Sequence, residues 1–173
     1  MIIVCGLNAV QDLVDKHSVG RVVSLLGPDT PHRTFKNIVA EQHLKLTFHD
    51  VVEMMDGFSA PRATDAEKLI EFVENWDRAN PMLIHCWAGI SRSTAAALIS
   101  LCALNPETPE QLIARRLRQA SPTAHPNRLM IRLADAALGR NGRIIEAVES
   151  MGRGMAAHEA RPFSLPADFS RRA

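Results

Sequence analysis

The sequence predicts an α/β fold with a mainly parallel central sheet of about four to five strands, flanked by helices. Two observations lead to this prediction. Short apolar runs, each the length of one buried strand, alternate with segments of helical periodicity through the first half of the chain. After the last of these runs only helical patterns follow, and this order of elements is typical of a parallel sheet with helices packed on it.

Length and composition suit one domain with its own core. Of the 173 residues, 46% are hydrophobic and 23% are charged, as in an ordinary globular protein. Residues 1–152 are therefore predicted to form this domain. Residues 153–173 are rich in Arg, Pro and small side chains, which predicts a C-terminal tail that activity does not require.

Charge and cysteine content narrow the classes of partner and compartment. A net charge of +1 gives no general attraction for nucleic acid or an anionic membrane. No run approaches the roughly 18 apolar residues of a membrane helix, and the first residues lack the basic start of a signal peptide. The three cysteines are too few for a secreted disulfide framework. The sequence therefore predicts a cytoplasmic protein that binds neither nucleic acid nor membrane.

Four apolar runs are predicted to form strands. They are Ile2–Cys5, Arg21–Leu26, Leu44–Phe48 and the run from Pro81 to the residue before Cys86. A helix is predicted between the first two, because Asn8 and Gln11 have the spacing of a capping box and Gly20 provides a stop. The stretch 49–62 contains glycine and proline without periodicity, so it is predicted to be an irregular loop.

Start and stop signals predict the helices of the second half. Thr64-x-x-Glu67 has the form of a capping box before an apolar stripe. The alanine-rich segment from Thr94 to Leu104 is apolar on nearly every face, which predicts a buried central helix. Two more helices are predicted over residues 108–120, with an N-cap at Thr108, and 126–138, with Asn127 interpreted as a cap.

The segment from His85 to Ser93, His-Cys-Trp-Ala-Gly-Ile-Ser-Arg-Ser, is the most informative part of the chain. It joins the last predicted strand to the alanine-rich helix, so Cys86 stands where backbone N–H groups converge at a helix N-terminus. Those groups favour a thiolate over a thiol, and the same loop can bind a phosphate. The placement predicts a cysteine nucleophile that acts on a phosphoester.

Each neighbour of Cys86 in this loop has a physical task. The planar fork of Arg92 can bind two phosphoryl oxygens at once. The Ser93 hydroxyl can donate a hydrogen bond to the sulfur. Gly89 removes a Cβ where the loop must turn its N–H groups inward. Neither of the other two cysteines has an arginine at the sixth following position, so only Cys86 fits the pattern.

His-Cys-x-Ala-Gly-x-Ser-Arg-Ser resembles the signature of the cysteine-dependent protein tyrosine phosphatase superfamily, in the form typical of its dual-specificity branch. The resemblance extends from about residue 21 to residue 138. It implies a protein tyrosine phosphatase-like fold and two-step hydrolysis through a cysteinyl-phosphate on Cys86, with no metal and no cofactor. It also implies that Ser93 assists the nucleophile and that His85 supports the loop. The residues implied to bind the substrate phosphate are Trp87, Ala88, Gly89, Ile90, Ser91 and Arg92.

The resemblance further implies a general acid ahead of the cysteine. The family places an aspartate on a mobile loop after a strand that ends in an aromatic residue. Phe48-His49-Asp50 has this context, so Asp50 is the preferred acid. Asp56, which precedes a glycine on a flexible tip, is the rival, and Glu53 is a third candidate.

Some alternatives stay open from the sequence. Trp87 either walls the substrate pocket or packs internally. A redox partnership of Cys86 with Cys5 or Cys102 depends on distances that a sequence does not give. Oligomeric state is also open.

The preferred function is hydrolysis of phosphotyrosine, with phosphoserine and phosphothreonine as an open extension, in a phosphorylated protein. One alternative is a phosphatase for phosphoinositides or another small phosphoester. Residues 87–91 carry no positive charge, which argues against such a highly anionic substrate. The other alternative is a phosphopeptide-binding module without turnover, although such a module would be expected to lack Cys86 or Arg92.

Overall fold

The computed structural model describes residues 1–169 and contains a five-stranded sheet with the order β3-β2-β4-β1-β5. Its strands are β1 (Ile2–Cys5), β2 (Arg21–Leu26), β3 (His43–Thr47), β4 (Met82–His85) and β5 (Phe163–Leu165). The first four pair in parallel, and β5 adds an antiparallel edge beside β1. The predicted α/β class and mainly parallel sheet are therefore confirmed.

The helices complete the domain in two unequal layers. They are α1 (Val10–Lys16), α2 (Ala63–Glu74), α3 (Arg92–Leu104), α4 (Glu110–Ala120), α5 (Arg128–Ala137) and α6 (Arg143–Ser150). Because side chains alternate along a strand, Ile2 and Val4 join the larger apolar cluster, which is shared with α2–α6. Ile3 and Cys5 face the smaller cluster under α1. The first turns of α3 are buried on every side, as the alanine-rich pattern predicted.

The parallel register places the functional segments at one edge of the sheet. Cys5 lies beside His85, and Leu26 lies beside Thr47, so the carboxyl ends of these strands open onto the same side. In parallel α/β sheets this is the edge at which ligands bind. The loops that follow β1, β3 and β4 are therefore brought together.

Several helix starts differ from the predicted ones. Helix α1 begins after Ala9 with no side-chain cap, and the Asn8 side-chain amide donates to the Glu159 carboxylate at 3.1 Å. At α2 the Asp65 carboxylate accepts the Arg62 N–H at 2.8 Å. The N-cap is therefore Arg62, two residues before Thr64, which was the predicted cap. Short polar residues close in sequence compete for the same backbone donors, and tertiary contacts decide between them.

Helix α6 was not predicted. Its N-cap is Gly142, and its first amides are held by a buried residue of α5: the Asp135 carboxylate accepts the N–H groups of Gly142 and Ile144 at 2.7 and 2.9 Å. This cap is distant in sequence from the helix that it serves. A local capping rule therefore misses it.

Residues 153–169 belong to the segment that the sequence predicted to be a tail, and they pack against the domain. Leu165 and Ala167 are buried, and the Asn105 side chain accepts the Phe169 N–H at 2.9 Å. A three-residue strand is too short to show alternation in the sequence. Within residues 1–169, every helix is too short or too polar to cross a bilayer.

Candidate active site

The Cys86 sulfur lies at the centre of the loop between β4 and α3. The residue is 2% exposed. The Gly89 N–H donates to its Sγ at 3.3 Å, and the Ser93 Oγ lies 3.1 Å from the same sulfur. Because these contacts come from the loop and from the first turn of α3, they surround the sulfur with polar hydrogens. This environment favours negative charge on the sulfur.

The backbone of the loop is turned so that its carbonyl groups face outward. Four of them accept an N–H from another segment: Trp87 O from Leu7 at 2.9 Å, Ala88 O from Ala160 at 2.8 Å, Ile90 O from His125 at 2.9 Å and Ser91 O from Asn127 at 3.4 Å. The C=O and N–H of a trans peptide point in opposite directions. The N–H groups of residues 88, 89, 91 and 92 are therefore directed inward, as in an anion-binding nest.

Gly89 is required by the turn of this loop. Its φ is +74°, and a Cβ at this position would lie 2.8 Å from the Gly6 nitrogen and 2.9 Å from the Cys5 carbonyl carbon. Both neighbours are backbone atoms of the β1 end, so they have little freedom to move. A side chain here would therefore displace the loop from β1.

Arg92 directs a buried guanidinium at the same site. The residue is 7% exposed, and its Nη1 donates to the Phe48 carbonyl at 2.9 Å. Its Nε is buried and has no hydrogen-bond partner among the described residues. A buried cationic donor without a partner is costly. Because an anion in the loop would satisfy it, this atom favours phosphate binding.

Asp50 lies beside the loop with two differently placed oxygens. Its Oδ1 accepts hydrogen bonds from Ser91 Oγ at 2.7 Å and from Asn127 Nδ2 at 2.8 Å. Its Oδ2 lies 3.8 Å from Arg92 Nε. The structure thus brings Asp50 to the loop, whereas Glu53 and Asp56 are exposed farther along the same segment.

Asn127 has a second contact that the sequence did not reveal. Its Oδ1 caps α5 by accepting the N–H groups of Leu129 and Met130, each at 3.0 Å, as predicted for a cap residue. Its amide nitrogen donates to Asp50 and to the Val51 carbonyl. One side chain therefore fixes both the start of a helix and the position of the candidate acid.

His85 belongs to a buried polar network that the sequence also missed. Its Nε2 lies 2.7 Å from the Ser24 hydroxyl, which lies 2.8 Å from His43 Nε2. Burial lowers the pKa of His85 to about 4, and burial together with Lys45 lowers the pKa of His43 to about 4. Both rings are therefore neutral near pH 7, which suits a supporting role for His85. The signal in the sequence that could have indicated this network is Ser24, a polar residue among the apolar residues of β2.

The rim of the site exposes apolar side chains. Trp87 is 59% exposed, so it does not pack internally. The loop after Asp50 exposes Val52, Met54, Met55 and Phe58. That loop is closed at its base, because the His49 N–H donates to the Ser59 carbonyl at 2.7 Å and the Ser59 N–H donates to the His49 ring at 2.9 Å.

The other two cysteines are buried. Burial raises the pKa of Cys5 to about 12 and that of Cys102 to about 12. Neither thiol is ionised near neutral pH, so neither is a candidate nucleophile.

Comparisons with known proteins agree with this geometry. Residues 43–122 match the family model described as protein-tyrosine phosphatase. No curated protein sequence matches the chain. The structure of DUSP15 is similar with a TM-score of 0.64 and 16% identity, over 87% of this chain and 89% of that one.

Two further solved structures share the fold. The PTP-2 phosphatase of Cydia pomonella aligns with a TM-score of 0.60 and 22% identity, over 78% of this chain and 84% of that one. PTPMT1 in complex with PI(5)P aligns with a TM-score of 0.56 and 14% identity, over 81% and 91% of the two chains.

Residues 43–122 thus match the protein-tyrosine phosphatase family model, and the described domain shares its fold with the solved phosphatase structures. The resemblance to the cysteine-dependent protein tyrosine phosphatase superfamily that the loop sequence indicated is confirmed by this match.

Proposed function

We propose that the chain hydrolyses phosphotyrosine in proteins, with phosphoserine and phosphothreonine as further substrates, through a cysteinyl-phosphate on Cys86. The observation that carries this proposal is the pairing of a sulfur centred among inward N–H groups with a buried Arg92 Nε that lacks a hydrogen-bond partner within residues 1–169. The sulfur can attack a phosphorus atom whose oxygens those donors hold. These donors stabilise the charge of the phosphoryl group in transfer more than that of the ground state.

The first step forms a sulfur–phosphorus bond and breaks the bond between phosphorus and the leaving oxygen. Asp50 gives its proton to that oxygen, and its Oδ2 is the atom suited to this task because Oδ1 already accepts two hydrogen bonds. In the second step a water attacks phosphorus, Asp50 takes the water's proton, and the sulfur leaves as thiolate. The Ser93 hydroxyl stabilises that thiolate by donating to it.

The rim favours an aromatic phosphoester. Trp87 and the exposed apolar residues of the loop after Asp50 offer contacts to a phenyl ring. Residues 87–91 have no charged side chain, and residues 50–59 contain three carboxylates and no lysine or arginine. Such a rim disfavours a substrate with several phosphates, although PTPMT1 carries PI(5)P on this fold.

Turnover of a phosphotyrosine peptide in EDTA tests the proposal, with Cys86→Ser as the matched variant. We expect phosphate release from the native chain, none from the variant, and slower release from phosphoserine and phosphothreonine versions of the peptide. Faster release from PI(5)P in detergent would show the phosphoinositide alternative instead. Tight peptide binding without release would show a binding module.

A further inference from the structure

The C-terminal segment makes one contact with the candidate site that concerns the nucleophile directly. The Ala160 N–H donates to the Ala88 carbonyl at 2.8 Å. That carbonyl belongs to the same peptide group as the Gly89 N–H, which donates to Cys86 Sγ at 3.3 Å. Ala160, the 88–89 peptide and the sulfur therefore form one continuous hydrogen-bonded chain.

Such a chain changes the strength of its last bond. A donor on a carbonyl oxygen draws electron density from the peptide and makes its N–H a stronger donor. The effect is greatest where the acceptor carries negative charge. We propose that Ala160 is a positioning residue for Cys86, which holds and polarises the 88–89 peptide so that the segment 153–165 acts as part of the phosphate-binding loop.

Other contacts hold this segment, named here the C-terminal strap (residues 153–165), at a fixed place. The Met155 N–H donates to the Pro122 carbonyl at 2.9 Å, and Glu159 accepts the Asn8 amide at 3.1 Å. Gly154 lies so close to residues 123 and 124 that a Cβ would approach the Ala124 oxygen to 2.6 Å. Antiparallel pairing of Ile2 with Leu165 then fixes the far end. The strap is thus anchored on both sides of Ala160, which is itself buried.

The contact is also different in kind from the others around the loop. The Leu7, His125 and Asn127 N–H groups bond to carbonyls whose partner N–H groups belong to residues 88, 91 and 92. Only the Ala88 carbonyl, among these, shares a peptide with an N–H that reaches the sulfur. Loss of the Ala160 contact should therefore affect the reactivity of Cys86 more than the fold.

Ala160→Pro removes this donor, and Ala157→Pro is the matched control, because Ala157 is exposed on the same strap and its N–H makes no hydrogen bond within residues 1–169. The measurement is the rate of Cys86 alkylation by iodoacetamide from pH 4 to pH 9. We expect Ala160→Pro to react about threefold more slowly at low pH, in line with the loss of one hydrogen bond between neutral backbone groups, and to reach the native rate at high pH. Ala157→Pro should follow the native profile. A native profile for Ala160→Pro, or an equal shift in both variants, would overturn the proposal.

Amide hydrogen exchange on the native chain provides a second test that needs no variant to fold. If the Ala160–Ala88 hydrogen bond increases the affinity of the loop for phosphate, bound phosphate must stabilise that hydrogen bond by the same factor. Saturating inorganic phosphate should slow exchange of the Ala160 amide about threefold or more, and leave the Met155 amide of the same strap unchanged. No change at Ala160, or equal protection of both amides, would contradict the inference.

The inference rests on the proposed role of Cys86 but is tested without turnover. If the chain released no phosphate from any peptide, the proposed function would fail. Alkylation and exchange would still report whether the strap acts on the sulfur.

Discussion

The two oxygens of the Asp50 carboxylate have different surroundings. Oδ1 accepts hydrogen bonds from Ser91 and Asn127, while Oδ2 faces Arg92 at 3.8 Å. These contacts hold the side chain in one orientation although it is 36% exposed. The position of the candidate acid was predictable from the aromatic strand end. The role of Asn127 in holding Asp50 was not predictable, because Asn127 is distant in sequence. Its predicted role as a helix cap also gave no reason to expect a second contact.

Asp50→Ala is expected to lower kcat by about 10²-fold or more while KM changes little, because a general acid acts on the leaving group and not on the bound phosphate. The loss should be larger for phosphoserine than for phosphotyrosine peptides, since an alkoxide is a poorer leaving group than a phenolate. Steady-state kinetics at acidic pH provide the measurement. Asp56→Ala is the control, and a matching loss in that variant would show that the acid has been misassigned.

Gly89→Ala is expected to weaken binding of inorganic phosphate about tenfold or more, because the new Cβ would meet the backbone of Gly6 and Cys5. Gly57→Ala is a matched control: Gly57 also has a positive φ of +80°, but nothing lies within 4 Å of its missing Cβ. Competitive inhibition or calorimetry gives the affinity. Equal effects of both substitutions would mean that backbone strain, rather than contact with β1, determines the result.

At the scale of elements, the strands were predicted more closely than the helix ends. Strands β1 and β2 have the predicted bounds, since buried apolar runs bounded by glycine or proline leave little choice. Helices α1, α2 and α4 begin one or two residues from the predicted caps, where several polar residues could serve. Helix α6 and strand β5 were missed, because the first depends on Asp135 of another helix and the second is three residues long.

Strand β5 packs the C-terminal segment against the domain, while the expectation that activity does not require this segment stays a prediction. Leu165 is 3% exposed and pairs with Ile2, so Leu165→Ala is expected to lower the free energy of unfolding by about 2–4 kcal/mol. Urea denaturation measures this loss. Ser164→Ala, on the exposed side of the same strand, should cost far less. If the two variants were equally stable, β5 would not be docked in solution.

At the scale of the whole molecule, the candidate site residues are concentrated at one edge of the sheet. Four N–H groups from three segments distant in sequence donate to the outer side of the loop: one follows β1, one lies in the strap, and two belong to residues 125 and 127 before α5. The sequence predicted Cys86 and Arg92 as site residues, because their spacing and the strand–loop–helix context are local. It could not identify Ser24, His43 or Ala160, since their contribution arises only when the chain is folded.

Stability of the whole domain should depend on pH through the buried histidine pair. The pKa of His85 is lowered to about 4 by burial, whereas an unfolded histidine titrates near 6.5. Between these values the unfolded chain binds the extra proton, so the free energy of unfolding must fall as the pH drops from about 6.5 to 4. The stabilisation is fully present above that window.

Urea denaturation from pH 7 to pH 4.5 measures this dependence. His85→Gln should remove on the order of 1–2 kcal/mol of the pH-dependent change, and His158→Gln, at an exposed position, should leave it unaltered. A native pH dependence in His85→Gln would show that this ring is not held neutral by burial.

The cysteinyl-phosphate mechanism is tested by finding which atom carries phosphate during turnover. Acid quenching of the native chain during hydrolysis of para-nitrophenyl phosphate, followed by mass spectrometry of its peptides, locates that atom. We predict one phosphate on the Cys86 sulfur. The phosphorylated form should accumulate in Asp50→Ala if that variant slows hydrolysis of the intermediate. Turnover with the phosphate on another residue, or with undiminished rate in Cys86→Ser, would contradict the mechanism.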